Sequence, residues 1–179
     1  MKRFSVIVSI IILLCCCTRQ SAQLPSNKAT ISDEKMDMMT YNKMCIEAEM
    51  AEIGAYLDSS SVEFIKSDAG YWYKVVNSNK GTKVNDIVTI SGTVQVLGGE
   101  PCYELGVRSE ELGVNTLTLR LGKRDHTKVL DLALANAHVG DEIWIISPSS
   151  LAYGIKGISN CITSRTPVLY KIKVLKTNE

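Results

Sequence analysis

Downstream of Gly70 the chain repeatedly reads with a period of two. The runs "YWYKVVN" (71–77), "DIVTISGTVQVL" (86–97), "TLTLRL" (116–121), "EIWIIS" (142–147) and "VLYKIKVL" (168–175) are rich in β-branched and aromatic residues and are separated by Gly, Asn and Pro. Such runs predict strands. Between them only "HTKVLDLALANAH" (126–138) reads as a helix, with Val129, Leu130, Leu132 and Leu134 on its apolar side. A sheet must bury one face, and a single short helix laid across it does so, which predicts an α+β domain. The sequence contains no internal repeat and no low-complexity segment.

Upstream, "SDEKMDMMTYNKMCIEAEMAEIGAYLDSS" places Met36, Met39, Met44, Ile46, Met50, Ile53 and Leu57 mostly three, four or seven apart. That spacing predicts an amphipathic helix, with Ser32 or Asp33 as its N-cap. Its methionine stripe is expected to pack on the domain body. The alternative is a dimerisation or client-binding face, since methionine adapts to varied surfaces. The N-terminus pairs Lys2 and Arg3 with an apolar stretch from Phe4 to Leu14, followed by Cys15, Cys16 and Cys17. The apolar stretch is shorter than the roughly 20 residues a membrane helix needs, so it reads as a secretory signal. Leu13, three positions before Cys16, fits the pattern of a bacterial lipoprotein signal, with Cys16 acylated and Cys17 the fallback; an ordinary signal with incidental cysteines is the alternative. The expected organisation is a lipoprotein signal (1–16), a flexible tether (17–32), a Met-rich helix and connector (33–66) and a β-rich domain (67–179). No acidic run follows the cysteines, so a periplasm-facing anchor is expected, on the outer membrane in preference to the inner.

Lys and Arg number 20 against 19 Asp and Glu, a balance that gives no footprint for nucleic acid. A polypeptide or a small molecule is the expected partner, beside the membrane that the lipid would enter. Cys45, Cys102 and Cys161 remain in the body. An oxidising compartment permits one disulfide among them, and spacing does not choose the pair. His126 and His138 stand alone and no C-x-x-C occurs, so neither metal nor cofactor is expected.

From about Gly70 to Lys176 the chain resembles the FKBP-type peptidyl-prolyl cis-trans isomerases, and with its signal and Met-rich helix it is similar to the lipoprotein members of Bacteroidota. The resemblance rests on "GYWYKVV", "LGK" at 121–123, "VGD" at 139–141, "SPSSLAYGIKG" at 147–157 and "PVLYKIKVL", in that order. It implies a half-wrapped antiparallel sheet with a helix over it and an apolar cup between them. By the same resemblance Tyr153 donates a hydrogen bond to a bound carbonyl, Tyr170 is a wall of the cup and Thr127 offers its backbone N–H. The remaining lining falls on Cys102, Tyr103, Leu117, His126, Leu130, Cys161 and Ile162.

Several positions depart from the family. A strand tyrosine falls on Gly92, a Phe-Asp pair on Cys102 and Tyr103, a wall phenylalanine on Leu117 and the floor tryptophan on Leu130. His126 precedes the helix, where a cation is disfavoured, and reads as a neutral rim residue. Cys102 and Cys161 fall close together, as a disulfide across the mouth of the cup or as two buried thiols. Two functions compete. One is a prolyl isomerase for exported proteins, which needs only to bind the twisted amide better than the planar one. The other is a non-catalytic peptide-binding or chaperone domain on the same fold. Tyr153 and Tyr170 favour the first; Gly92, Tyr103 and Leu117 favour the second.

Overall fold

The computed structural model describes residues 37–79, 81–158 and 161–178, and Met38–Glu179 form one compact unit. The signal-like segment, Cys16 and Cys17, the tether, Met36 and the N-cap candidates Ser32 and Asp33 lie outside the described residues. In chain order the elements are α1 (Met38–Ser59), β1 (Ile65–Lys66), β2 (Trp72–Asn77), β3 (Ile87–Val96), β4 (Pro101–Glu104), β5 (Val107–Arg108) and β6 (Asn115–Arg120). They continue with α2 (Lys128–Leu134), β7 (Glu142–Ser147), a 3-10 turn (Ser149–Leu151) and β8 (Val168–Thr177).

The strands form one open antiparallel sheet in the order β1-β2-β7-β8-β3-β6-β5, and β4 pairs with β3 outside that path. The α+β architecture expected from the sequence is the observed one. Alternation decides which side chains meet. On one face Ile143 and Ile145 of β7 and Val168, Tyr170, Ile172 and Val174 of β8 join Val88, Ile90 and Val94 of β3 in the main core. Helix α2 covers that face with Val129, Leu130 and Leu134, all fully buried. The intervening residues Ile146 and Leu169 point the other way and pack with Ile53 of α1, ringed by Phe64, Trp72 and Trp144.

Two expectations change in detail. Helix α2 ends at Leu134, short of His138, because the Ala137 carbonyl accepts from Val84 N–H and the Val139 N–H donates to Thr82. Backbone groups engaged there are not free to continue a helix. The methionine stripe of α1 does not pack along its length. Met39 is 78% exposed and Met44, Ile46 and Met50 are also exposed, whereas Ile53 is fully buried. The helix docks through its C-terminal half, where the aromatic side chains of the sheet's second face can receive it.

Candidate active site

Register brings two tyrosines onto one face. Val94 in β3 pairs with Tyr103 of β4 on one side and with Tyr170 of β8 on the other. Residues paired across antiparallel strands share a face, and a one-residue slip would turn a strand's side chains outward. A third tyrosine, Tyr153, comes from the loop after the 3-10 turn. Its ring stacks on Tyr170 with centroids 6.3 Å apart, and meets Tyr103 and His126 edge-on at 6.4 and 6.2 Å. The loop is shaped by Gly157, whose φ of +66° favours glycine and where an added Cβ would lie 2.3 Å from the Ile162 carbonyl oxygen.

The hydroxyls are paired in a definite way. Tyr103 and Tyr153 hydrogen-bond to each other through their hydroxyls. Tyr170 donates to Thr127 Oγ1 at 3.1 Å, so its proton is committed. Each phenol carries one proton. Whichever of Tyr103 and Tyr153 donates within their pair, the second O–H of the pair is left to the Tyr170 oxygen beside Tyr153 or to a ligand. Burial is the largest cause pushing all three phenols well above the usual tyrosine range. They are neutral donors throughout the physiological range. Burial also lowers the His126 imidazole below its ordinary 6.5, in keeping with a neutral rim residue.

The other residues singled out in the sequence gather around these rings. Leu130 and Ile162 are fully buried in the same apolar cluster as the tyrosines, and Leu117 packs against it from β6. Cys102 and Cys161 form a disulfide with Cα atoms 5.8 Å apart, within the 4.4–6.8 Å span such bonds require. Cys45 is the free thiol among the described residues. Thr127 is the N-cap of α2 in an extended conformation and makes no side-chain cap hydrogen bond. The cluster is apolar, and its phenols are neutral donors. Its phenol hydroxyls can donate to a carbonyl oxygen brought against them.

Residues 79–175 match the family described as FKBP-type peptidyl-prolyl cis-trans isomerase, more than half of the chain. The chain belongs to this family. The FKBP fold is likewise that of its structural relatives. A peptidyl-prolyl cis-trans isomerase from Pseudomonas syringae pv. tomato superposes with a TM-score of 0.61 at 17% identity, over 77% of this chain and 96% of that one. FkpA from Escherichia coli gives 0.58 at 19%, over 98% of this chain and 82% of that one. AtFKBP13 gives 0.57 at 19%, over 65% and 100%. No curated protein matches the sequence significantly.

Within the FKBP frame Gly92 has a local reason. It pairs with Ile172 at φ +158°, and a Cβ there would lie 2.2 Å from the Lys171 carbonyl oxygen. The close approach of β3 to β8 leaves no room for a side chain where the resemblance implies a tyrosine. One residue beside the site escaped the sequence reading. Glu49 of α1 is 8% exposed and its carboxylate accepts from the backbone N–H of Ser149 and, at 2.9 Å, from its hydroxyl. No short motif announces a contact between residues 100 positions apart.

Proposed function

We propose that the protein is a membrane-tethered prolyl isomerase that speeds cis-trans interconversion of X-Pro bonds in exported polypeptides. The observation that carries this reading is the Tyr103–Tyr153 hydroxyl pair, whose second O–H can turn from the Tyr170 oxygen to a ligand beside an apolar floor of Leu130 and Ile162. The substrate's X-Pro carbonyl would take that proton. The Thr127 N–H, at the mouth of α2, would serve a second carbonyl along the chain.

Rotation about the amide costs about 18–20 kcal/mol because resonance is lost at the twisted geometry. A donor that follows the carbonyl oxygen as it leaves the plane, in a site that excludes water, stabilises that geometry more than the planar one. Neutral phenols suit this task, since no proton is transferred. Placement outside the cytoplasm rests on the signal-like N-terminus with Cys16 or Cys17 as lipid attachment point. The Cys102–Cys161 disulfide supports it, because such bonds persist in oxidising compartments.

The test is NMR exchange spectroscopy on Xaa-Pro peptides with the full chain and its Tyr153→Phe variant. Losing one neutral hydrogen bond of about 0.5–1.5 kcal/mol lowers kcat/KM about two- to tenfold. A folded protein that binds the peptides without accelerating exchange would instead make this a peptide-binding FKBP domain, the reading that Gly92 and Leu117 favour.

A further inference from the structure

Tyr153 sits in a loop whose geometry is set from outside the sheet. Ser149 opens the 3-10 turn, and its carbonyl accepts from the N–H of Ala152 at 2.9 Å and of Gly154 at 2.8 Å. Those two amides flank Tyr153. On the other side the Gly154 carbonyl accepts from the Arg165 N–H at 2.9 Å. Ser149 and Arg165 therefore bracket the tyrosine, and both are tied to α1.

Ser149 is held by Glu49 through two hydrogen bonds, to its N–H and to its hydroxyl. Arg165 donates from its guanidinium to the Asn42 side-chain carbonyl at 2.5 Å, with Tyr41 5.8 Å beneath it. Asn42 and Glu49 are seven residues apart, so two turns of α1 present them on one face. Glu49 and Ile53 are the buried residues of that helix. Burying a carboxylate is costly unless it is hydrogen-bonded, and here both carboxylate oxygens are used on the single residue that sets the turn.

We propose that Glu49, with Asn42 as a second tie, is a positioning residue for the isomerase site: α1 fixes the Tyr153 loop and thereby the ring stack and hydroxyl pairing of Tyr153. The proposal rests on Tyr153 being the donor of the site. It gives α1 a role in turnover although the helix contributes nothing to the apolar cluster around the tyrosines. Without the clamp the Ser149 turn keeps its own backbone bonds but loses its anchor. Tyr153 then samples several positions relative to Tyr170, and the fraction of molecules ready to donate falls.

The test is a double-mutant cycle in the full chain. Glu49→Ala is expected to lower kcat about three- to tenfold with KM little changed, and in a Tyr153→Phe background to cost less than twofold more. Glu49→Gln, which keeps one carbonyl acceptor, is expected to recover part of the loss, and Asn42→Ala to give a smaller loss of the same kind. Losses that multiply in the double variant would overturn the proposal, because a structural role acts independently of Tyr153. A second readout does not need turnover. With 3-fluorotyrosine incorporated, the resonance assigned by Tyr153→Phe is expected to shift and broaden in Glu49→Ala and, less, in Glu49→Gln and Asn42→Ala. An unchanged Tyr153 resonance in the folded variants would refute the clamp even if the wild type proved inactive. If Glu49→Ala does not fold, Glu49→Gln and Asn42→Ala carry both readouts.

Discussion

Removing the Cys102–Cys161 bond should cost the domain both stability and speed. The bond closes a loop between residues 59 apart. Loop-closure entropy for a loop of that size amounts to about 4 kcal/mol of stability. For a unit of this size each kcal/mol is worth about 3 °C in Tm, so reduction, or the Cys102→Ala/Cys161→Ala pair, is expected to lower Tm by about 10–15 °C. The functional part follows from what each cysteine adjoins. Cys102 precedes Tyr103 and Cys161 precedes Ile162, so the bond joins two walls of the tyrosine cluster. Freeing one such wall adds about 0.5–1.5 kcal/mol of ordering cost to each productive encounter. The reduced protein should then isomerise Xaa-Pro peptides about two- to tenfold more slowly, so that redox state sets the activity. Thermal unfolding with and without reductant, peptide exchange rates on the same samples and alkylation mapped by mass spectrometry decide the matter. The reasoning is refuted if both thiols alkylate in the unreduced native protein. It is also refuted if reduction leaves Tm within about 2 °C, far inside the shift the loop length requires.

Leu130→Ala empties the floor of the site. Truncating a fully buried leucine costs about 2–5 kcal/mol, and a chemical-denaturation loss below about 1 kcal/mol would mean the floor is not packed as described. His126 gives a pH signature: its folded imidazole is lowered below 6.5 by burial, so below that value the unfolded chain takes up the proton more readily. The stability it contributes is complete above about pH 6.5 and is lost as pH falls from there through the lower folded value. His126→Asn should flatten denaturation free energy against pH below about 6.5, and an unchanged slope in that variant would reject the assignment.

The long strands and α2 were legible because burial on one face writes a period into the sequence, as Ile143, Ile145, Val168, Tyr170 and Ile172 do. The strands β1, β4 and β5, of two to four residues, are too short to carry a period and exist through their neighbours. The resemblance singles out Tyr153, Tyr170 and Thr127, and the structure brings the three together. The exposure of the methionines of α1 was not legible, since a helical stripe of apolar residues looks the same whether or not the body is long enough to cover it. Glu49 was hidden for the opposite reason: a glutamate on a charged helix reads as solvated until a backbone amide from a distant turn is placed against it.

The departures from the family pattern are not independent of one another. The β3–β8 approach excludes a side chain at Gly92, which removes one aromatic wall and its hydroxyl from the cup. On the next strand, the position where the resemblance implies an aspartate holds Tyr103, brought to the same face by pairing with Val94. One phenol is absent from the strand and another stands beside it. An aspartate at 103 could only accept, whereas a phenol accepts or donates, and either way the second O–H of the pair is left to the Tyr170 oxygen or a ligand. Tyr170 cannot supply that proton, because it is spent on Thr127. The hydroxyl at position 103 therefore bears on how the Tyr153 hydroxyl is oriented, through the hydrogen bond the two phenols share. In this chain two phenols, Tyr103 and Tyr153, meet where the resemblance implies an aspartate and a tyrosine.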